Sequence, residues 1–269
     1  MDPADFEFIS TQLKKRSGLV LTPEKSYLLE SRLMPVARKN SMKGLEELFL
    51  AVRKDPDGPL MVDVTEAMTT NESFFFRDTK PFDMFRDKIL PPLIESRAAK
   101  KSFRIFCAAA SSGQEPYSLA IILKEAGAKL AGWNIDIVGT DLSAEILSKA
   151  SAGVYSQFEV QRGLPIQLLV KYFEKQDDQW QISQELRDMV TYKEYNLLNN
   201  LAPLGKFDVV FCRNVLIYFD KETKGQVLGS IADLMPQDGT LFLGGAETVL
   251  GISDRFKPVP EQRGVYGIA

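Results

Sequence analysis

The stretch Phe-Arg-Ile-Phe-Cys-Ala-Ala-Ala-Ser-Ser-Gly-Gln-Glu-Pro-Tyr-Ser, residues 103–118, decides the fold. The apolar, β-prone run at 103–107 predicts a buried strand, and Pro116 suits the first turn of a helix. The small residues between them allow backbone amides to approach a ligand closely. We therefore expect a nucleotide-type ligand loop at the carboxyl end of a parallel sheet. The loop lacks a G-x-G-x-x-G motif, so by itself it is not specific for a cofactor.

A second predicted strand ends in an acidic residue. Residues 135–140 form the strand, and Asp141 follows it. A carboxylate at this position can accept two hydrogen bonds from a ribose diol. Asp141 could instead cap the next helix, since aspartate is a favoured N-cap residue. Ser143 could take that capping role, so the two interpretations are compatible.

Two further strands complete the pattern of an α/β fold. Residues 207–212 predict a buried strand that leads into Arg213 and Asn214, and residues 239–245 predict another with a glycine exit. Polar residues directly after a buried strand lie at the mouth of the sheet, where ligands bind. Strands that alternate with helical patterns indicate a doubly wound sheet. A length of 269 residues and purely helical patterns over 5–76 predict two unequal parts.

Four separated motifs resemble one known family. They are Thr-Thr-Asn-Glu-Ser-Phe-Phe-Phe-Arg at 69–77, Ala-Ala-Ser-Ser-Gly-Gln-Glu-Pro-Tyr-Ser at 109–118, Gly-Thr-Asp at 139–141 and Phe-Cys-Arg-Asn-Val-Leu-Ile-Tyr-Phe at 211–219. In this order they resemble the chemotaxis receptor methyltransferases (CheR family) from about residue 10 to the end. The resemblance implies methyl transfer from S-adenosylmethionine to chemoreceptor glutamates, giving glutamyl methyl esters and S-adenosylhomocysteine, for adaptation in bacterial chemotaxis.

The resemblance also implies an architecture. It is a Rossmann-like methyltransferase sheet with an N-terminal all-helical domain and a small antiparallel β insert. We expect the helical receptor-docking domain at residues 1–80, the methyltransferase domain at 81–269 and the insert at about 155–192. Within the insert, residues 161–173 look helical, and 179–182 and 189–192 look like short strands.

Site residues follow from the resemblance, position by position. It implies cofactor contacts for Asn71, Ser73, Arg77, Glu115, Asp141, Asn196, Leu197, Arg213 and Asn214. Arg77 would contact the methionyl carboxylate, Glu115 would lie near the methionyl ammonium, and Asn196 and Leu197 would hold adenine. Tyr218 would orient groups near the transferred methyl, so Arg77 and Tyr218 are the expected catalytic residues. The family often has threonine at position 73, where serine keeps the hydroxyl.

Simpler structural roles remain open for three of these residues. Arg77 could be a surface arginine paired with Asp78 or Asp83. Glu115 could interact with the dipole of its own helix from the first turn. Tyr218 could be an ordinary amphipathic core tyrosine.

The absence of histidine constrains the mechanism. The chain has no histidine and only two cysteines, which excludes Ser–His and Cys–His chemistry and argues against a transition-metal site. A glutamate acceptor is already ionised at pH 7, so attack on a sulfonium methyl needs alignment rather than a base. The resemblance implies S-adenosylmethionine as the cofactor, and the composition predicts no metal. Cys107 and Cys212 end buried strands and are interpreted as packing residues.

Basic residues are concentrated near the N-terminus, although the net charge is −3. The candidate receptor-docking residues are Lys14, Lys15, Arg16, Lys25, Arg32, Arg38 and Lys39. Lys25 and Arg32 are seven residues apart, which predicts one stripe on a helix that Pro35 should kink or shorten. A solvated helix face is the alternative. Nucleic acid is disfavoured, because the net charge is negative and no aromatic residues interleave with the basic ones.

Localisation and receptor tethering can also be predicted. No apolar run approaches 18 residues and the N-terminus is acidic, so we expect a cytoplasmic protein without membrane insertion. Some family members bind a receptor's C-terminal pentapeptide through a long, glycine-containing loop in the insert. Here the corresponding segment, residues 174–183, is only ten residues long and contains no glycine. We therefore expect no tight pentapeptide binding. Methylation of another acceptor and a non-catalytic, cofactor-sensing regulator are the alternative functions.

Overall fold

The computed structural model describes residues 2–269. In it the chain is divided into a helical unit and an α/β unit. The helical unit comprises the residues up to Thr70 together with Tyr218–Thr223, and the α/β unit comprises Asn71–Ile217 and Lys224–Ala269. The division falls before the aromatic run at 74–76, earlier than the boundary expected near residue 80. The reason is Phe75, which is fully buried in the α/β core, with its ring 5.1 Å from that of Tyr155.

Four helices build the N-terminal part. They are α1 (Pro3–Ser17), α2 (Tyr27–Lys39), α3 (Leu45–Lys54) and α4 (Pro59–Met68). The Asp2 side chain caps α1 by accepting a hydrogen bond from the Ala4 N–H, and Gly18 ends the helix at a φ of 77°. Apolar residues at helical spacing, such as Ile9, Leu13 and Leu33, form a core of their own.

Helix α2 differs from the sequence prediction in two respects. The helix is not shortened at Pro35 but continues to Lys39, because Leu33 and Val36 on either side of the proline are buried in the core. Lys25 precedes it in a separate 3₁₀ turn, Pro23–Lys25. Lys25 is exposed there, whereas Arg32 bonds to the end of α4, so the predicted stripe does not form.

The α/β unit is built on a seven-stranded sheet and a three-stranded sheet. In chain order the strands are β1 (Ser102–Ala108), β2 (Asn134–Asp141), β3 (Val154–Ser156), β4 (Phe173–Gln176), β5 (Gln179–Ile182), β6 (Val190–Glu194), β7 (Val209–Cys212), β8 (Thr240–Leu243), β9 (Phe256–Pro258) and β10 (Val265–Ile268). The large sheet has the order β6-β2-β1-β7-β8-β10-β9, parallel from β6 to β8 and antiparallel at β10 and β9. The predicted α/β class with a helical N-terminal domain is confirmed.

Helices connect the strands. They are α5 (Lys80–Met84), a π-helical turn (Phe85–Ile89), α6 (Leu90–Arg97), α7 (Gln114–Glu125), α8 (Ala144–Ala152), α9 (Gln157–Gln161), α10 (Ile166–Tyr172), α11 (Gln184–Arg187) and α12 (Lys221–Asp233). The chain leaves β1 toward β2 on one side, while β7 lies on the other. This reversal of strand order opens a crevice at the carboxyl ends of β1, β2 and β7.

The small sheet is antiparallel, with the order β3-β5-β4. Residues 179–182 form β5 as predicted. Assigning residues 189–192 to this small sheet was wrong, because Val190 pairs with Ile137 and β6 extends the large sheet parallel to β2. The partner of β5 is instead β4, joined to it by a tight turn in which Asp177 has a φ of 52°. The predicted helix over 161–173 is shorter, beginning at Ile166.

Candidate functional site

The loop after β1 lies at the carboxyl edge of the large sheet and has an unusual backbone. Ala109, Ser111 and Gly113 all adopt positive φ, at 58°, 52° and 91°. A Cβ on Gly113 would lie 2.6 Å from the Tyr192 hydroxyl, so only glycine fits there. The loop then turns into α7, whose N-terminal amides face the crevice end of the sheet. This is the loop for which the sequence predicts a ligand.

Asp141 joins the end of β2 to this loop. Its Oδ2 accepts a hydrogen bond from the Ser111 N–H at 2.9 Å, and its Oδ1 accepts one from the Ser143 N–H at 3.2 Å. Ser143 caps α8 by accepting from the Ile146 N–H, so Asp141 is not the N-cap residue of that helix. Both carboxylate oxygens thus already accept a backbone hydrogen bond, and a carboxylate has about four acceptor positions in all. Burial raises the pKa of Asp141, and the surrounding backbone N–H groups oppose that rise.

Arg213, which follows the end of β7, bonds to three other residues of the site. Its Nη1 donates to Glu115 Oε2 at 2.8 Å, and its Nη2 donates to the Arg77 carbonyl and to Asp78 Oδ2, each at 2.8 Å. The side chain is 1% exposed. Its Nε has no hydrogen-bond partner among residues 2–269. The arginine therefore ties β7 to α7 and to the chain at 77–78, and it keeps one donor for a further group.

Glu115 lies in the first turn of α7, as its helix-dipole interpretation requires, and it also faces Arg213. Burial raises the pKa of Glu115 above its ordinary value, and the positive charge of Arg213 opposes this rise. The result is a largely buried carboxylate beside the ligand loop, held in place by one cation.

The segment 71–78 is fixed to the α/β unit by side chains from the loop and from α7. Ser111 Oγ donates to the Asn71 carbonyl at 2.9 Å, and the Phe76 N–H donates to Ser118 Oγ at 2.9 Å. Together with the bonds from Arg213, these contacts bring Asn71, Ser73 and Arg77 to the same edge of the sheet as Asp141.

Arg77 itself is half-buried and bonds locally. Its Nη1 donates to the Glu72 carbonyl at 2.7 Å, and its guanidinium lies 5.5 Å from the Phe74 ring. The alternative surface pairing with Asp78 or Asp83 does not occur in the described chain. Those carboxylates pair with Arg213 and Arg86 instead.

Asn196 and Leu197 follow β6 at the same edge. The Tyr195 N–H donates to the Asp141 carbonyl at 2.9 Å, which continues the pairing of β6 with β2 beyond their last residues. Asn196 is half-buried, and its Oδ1 accepts from the Leu198 N–H. Leu197 is buried. The two residues therefore lie next to the end of β2, where Asp141 is.

The chain after β7 carries Asn214 and Tyr218. Asn214 adopts a φ of 59°, which is uncommon for a residue other than glycine. Tyr218 is half-buried and closes a 3₁₀ turn, Leu216–Tyr218, and its carbonyl accepts from the Val20 N–H at 2.9 Å within the helical unit. Tyr218 thus belongs to the helical unit together with Asp220, which pairs with Lys14 at 2.6 Å.

Glu247 was not identified from the sequence. Its carboxylate accepts hydrogen bonds from the backbone N–H groups of Asn214, Val215, Ile217 and Gly244. The only signal for it was the glycine exit at the end of the fourth predicted strand. Nothing in the spacing indicated that an acidic residue there would bind the chain after β7.

The candidate docking residues fall into two groups. Lys14, Arg16 and Lys39 pair with Asp220, Asp57 and Asp63, and Arg32 donates to the Met68 and Thr69 carbonyls and to Thr70 Oγ1. Lys15, Lys25 and Arg38 are exposed and form no ion pair within residues 2–269. These three residues carry positive charge that no ion pair within residues 2–269 neutralises.

Among residues 2–269, the two cysteines and the acidic side chains do not form a further reactive or metal-binding site. Cys107 and Cys212 are fully buried, and burial raises the pKa of both thiols well above the ordinary range. They remain protonated packing residues. In the part of the chain that the structure describes, no group of acidic or cysteine side chains is arranged to hold a metal ion. No helix between residues 2 and 269 is long and apolar enough to cross a membrane.

Comparison with known proteins gives a consistent result over the whole chain. Residues 4–69 match the family model described as the CheR methyltransferase all-alpha domain, and residues 71–265 match the CheR methyltransferase SAM-binding domain. The chain is 38% identical over 265 residues to chemotaxis protein methyltransferase Cher2 of Pseudomonas putida, covering 97% of this chain and 96% of that protein. It is 40% identical over 268 residues to chemotaxis protein methyltransferase 1 of Pseudomonas aeruginosa, with coverages of 97% and 96%.

Proposed function

The chain belongs to the CheR family of chemotaxis methyltransferases, and from this premise we propose that it methylates glutamate side chains on the cytoplasmic helices of chemoreceptors. That it is an S-adenosylmethionine-dependent methyltransferase of chemotaxis follows from the family itself. The acceptor, the roles of individual residues and the mode of receptor recognition belong to the proposal. The observation that carries it is the cluster that Arg213, Glu115 and Asp141 form at the carboxyl edge of the sheet.

The groups at this edge fit the polar parts of S-adenosylmethionine. The Asp141 carboxylate at the end of β2 suits the ribose hydroxyls, and the Glu115 carboxylate suits the methionyl ammonium. Arg77 is the cation proposed for the methionyl carboxylate, with Asn71 and Ser73 beside it in sequence. The Asn196 amide is proposed to bind the adenine edge, with Leu197 packing on the ring.

The reaction asks little of the protein beyond alignment. When bound, the cofactor supplies a methyl group on a positively charged sulfur. The acceptor glutamate needs no base, because its carboxylate is ionised at neutral pH. The residues of this chain would hold the cofactor and the acceptor in line and exclude water. Such alignment can supply about 7–11 kcal/mol of barrier reduction. Tyr218 is proposed to orient the acceptor rather than to transfer a proton.

Receptor recognition is proposed to use the free basic residues of the helical unit. Lys15, Lys25 and Arg38 are exposed and unpaired within residues 2–269, which suits an acidic helical partner. The other four candidates already hold carboxylates or carbonyls of the same unit. We propose a cytoplasmic location, because the methylated receptor segments lie on that side of the membrane.

We further propose that the enzyme works without a pentapeptide tether. The insert has a tight turn between β4 and β5 in place of a long, glycine-containing loop. Titration calorimetry with a receptor-type C-terminal pentapeptide tests this directly. No detectable heat is expected, and micromolar binding would show that the insert recognises a tether.

The first experiment on the function has two stages. Titration calorimetry with S-adenosylhomocysteine is expected to give micromolar or tighter binding. Radiolabelled S-adenosylmethionine with receptor-containing membranes is then expected to label the receptor. Mild base should release the label as methanol, since carboxyl methyl esters hydrolyse under conditions that leave methyl groups on nitrogen or ordinary oxygen atoms intact. Cofactor binding with base-stable label would indicate another acceptor. Binding without any transfer would indicate a regulator.

A further inference from the structure

Glu247 occupies the centre of the backbone that follows β7. Its Oε2 accepts from the Asn214 N–H at 2.8 Å and from the Gly244 N–H at 2.7 Å. Its Oε1 accepts from the Val215 N–H at 3.0 Å and from the Ile217 N–H at 3.3 Å. One carboxylate thus binds four backbone donors, three of them within the segment 214–217. Hydrogen bonds to an ionised acceptor are stronger than those between neutral groups.

The segment needs this support because Asn214 is in an unfavourable conformation. Its φ of 59° lies in the left-handed region, which asparagine adopts more readily than most residues with a Cβ but which still costs free energy. Such a conformation persists only where the surroundings enforce it. The N–H of Asn214 and that of the next residue both point at Glu247, so the carboxylate stabilises this conformation directly.

Gly244 is the second part of the same arrangement. Strands β7 and β8 pair in register, with Cys212 opposite Leu243, so Gly244 follows β8 beside the segment that follows β7. A Cβ on Gly244 would lie 2.7 Å from Glu247 Oε2, 2.9 Å from Asn214 Nδ2 and 3.0 Å from the Asn214 N. The Asn214 amide therefore packs directly against a glycine. Gly245 next to it has open space around its Cα, with no atom within 4 Å of an added Cβ.

We propose that Glu247 is a positioning residue for cofactor binding, which fixes Asn214 in its left-handed conformation through the backbone N–H groups of 214, 215 and 217. The inference rests on the proposed role of Asn214 in binding the cofactor. Glu247 has no assigned contact with the cofactor, and it acts through the segment that it binds. Both its charge and its shape are required, because each oxygen must accept two hydrogen bonds.

Two pairs of variants separate this role from general stability. Glu247→Gln keeps the shape of the side chain but turns an amide toward two N–H donors, so it should be nearly as harmful as Glu247→Ala. Gly244→Ala forces Asn214 and Glu247 apart, whereas Gly245→Ala adds the same methyl group where nothing is near. We expect the first three variants to bind S-adenosylhomocysteine roughly tenfold or more weakly, the scale on which outer-shell partners act at other sites. Gly245→Ala should bind within twofold of the wild type.

A double-mutant cycle with Asn214→Ala shows whether Glu247 acts through Asn214. If it does, Glu247→Gln in the Asn214→Ala background should weaken binding by less than twofold, because the group that it positions is already gone. A purely structural contribution would instead give the same fold-loss in both backgrounds. The KM for S-adenosylmethionine should rise in Glu247→Gln by more than kcat falls, since a binding contact is lost.

The outcomes are distinguishable from failure of the proposed function. If the wild type binds S-adenosylhomocysteine while folded Glu247→Gln and Gly244→Ala bind equally well, the inference is wrong and the function stands. If the wild type does not bind, both are wrong. Circular dichroism and urea unfolding establish that each variant is folded. Should Glu247→Ala or Gly244→Ala fail to fold, the isosteric Glu247→Gln decides the question.

Discussion

Arg213 donates a 2.8 Å hydrogen bond to Glu115, joining the end of β7 to the first turn of α7. The two side chains are 1% and 12% exposed, so the pair is almost completely removed from water. Arg213 also bonds to the carbonyl of Arg77 and the carboxylate of Asp78, which makes it the common support of three segments around the crevice. Loss of Arg213 leaves the buried Glu115 charge without its hydrogen-bonded cation, whereas loss of Glu115 leaves Arg213 with Asp78 as a remaining carboxylate partner.

Removal of Arg213 alone should destabilise the protein strongly. Arg213→Met leaves Glu115 buried and unpaired, which typically costs about 3–5 kcal/mol. In Arg213→Met/Glu115→Gln the uncompensated charge is gone, so much of that stability should return. Neither variant should recover cofactor affinity, because both lack groups at the proposed site. Urea unfolding and calorimetry with S-adenosylhomocysteine measure the two effects. A double variant no more stable than Arg213→Met would show that burial of the Glu115 charge is not the cause.

Loss of the Asp141 carboxylate should weaken cofactor binding. Asp141→Ala removes the proposed acceptor for the ribose hydroxyls, and the expected cost is about 1.5–3 kcal/mol of binding free energy. The matched control is Asp136→Ala on the same strand, whose carboxylate pairs with Arg104 near the other end of β2. Calorimetry should find the affinity of the control unchanged. Equal losses in the two variants would mean that the ribose assignment is wrong.

Cofactor affinity should depend on pH through Glu115. Burial raises the pKa of this carboxyl above its ordinary 4.5, so it ionises over a window that begins near pH 4.5 and extends upward. The methionyl ammonium favours the ionised form, and affinity should therefore rise with pH across that window. In the same window the folded state holds the proton more tightly than the unfolded state, so this group's contribution to stability falls as pH rises.

The Glu115→Gln variant is the control for this pH dependence. It should bind S-adenosylhomocysteine more weakly at pH 7 and show a flatter profile between pH 5 and 8. Calorimetry in buffers of matched ionic strength gives both profiles. If the wild type and the variant have parallel profiles, another group is responsible for the pH dependence.

Charge reversal at two arginines of α2 should affect two different properties, stability for Arg32 and receptor methylation for Arg38. Arg32 donates to the last carbonyls of α4, so Arg32→Glu should lower the free energy of unfolding by about 1–3 kcal/mol. Arg38 is exposed, and Arg38→Glu should change stability by less than about 0.5 kcal/mol. Receptor methylation by Arg38→Glu should nevertheless slow, most clearly at low salt, with unchanged affinity for S-adenosylhomocysteine. Unimpaired methylation in low salt would remove Arg38 from the docking surface.

Lys14 can be tested by exchanging charges with Asp220. Through their hydrogen bond, Asp220 raises the pKa of Lys14 and Lys14 lowers the pKa of Asp220. The aspartate also accepts from the Thr223 N–H at the start of α12. Lys14→Asp should slow methyl transfer modestly by disturbing the chain next to Tyr218. Lys14→Asp/Asp220→Lys should recover part of that loss. A receptor-docking lysine would not be rescued in this way, so absence of recovery in the transfer assay would favour docking.

The parts of the fold that depend on local pattern could be predicted from the sequence. The strand, small-residue loop and helix at 103–118 form as expected, and Ser143 caps α8 while Asp141 faces the loop. Errors arose where long-range packing outweighs local preference. Pro35 lies inside α2 because buried neighbours hold the helix, and Val190 joins the large sheet because Ile137 offers a buried partner.

Side-chain pairing across the fold could not be predicted. Nothing in the sequence indicates that Arg32 reaches residues 68–70, that Asp78 pairs with Arg213 rather than Arg77, or that Glu247 binds the chain 30 or more residues before it. These contacts join segments that only the folded backbone brings together. Basic composition near the N-terminus likewise gave no sign that four of the seven candidate docking residues have partners within their own unit.

The inclusion of Tyr218–Thr223 in the helical unit limits how this enzyme can be taken apart or recombined. Gly18 has a φ of 77°, and a Cβ there would lie 2.9 Å from the Phe219 ring, so residues 201 positions apart must match in size. A hybrid that exchanges only residues 1–70 with a relative would inherit one half of that fit without the other. Productive hybrids should instead carry 218–223 along with the N-terminal helices, and over evolutionary time substitutions at these two places are expected to accumulate together.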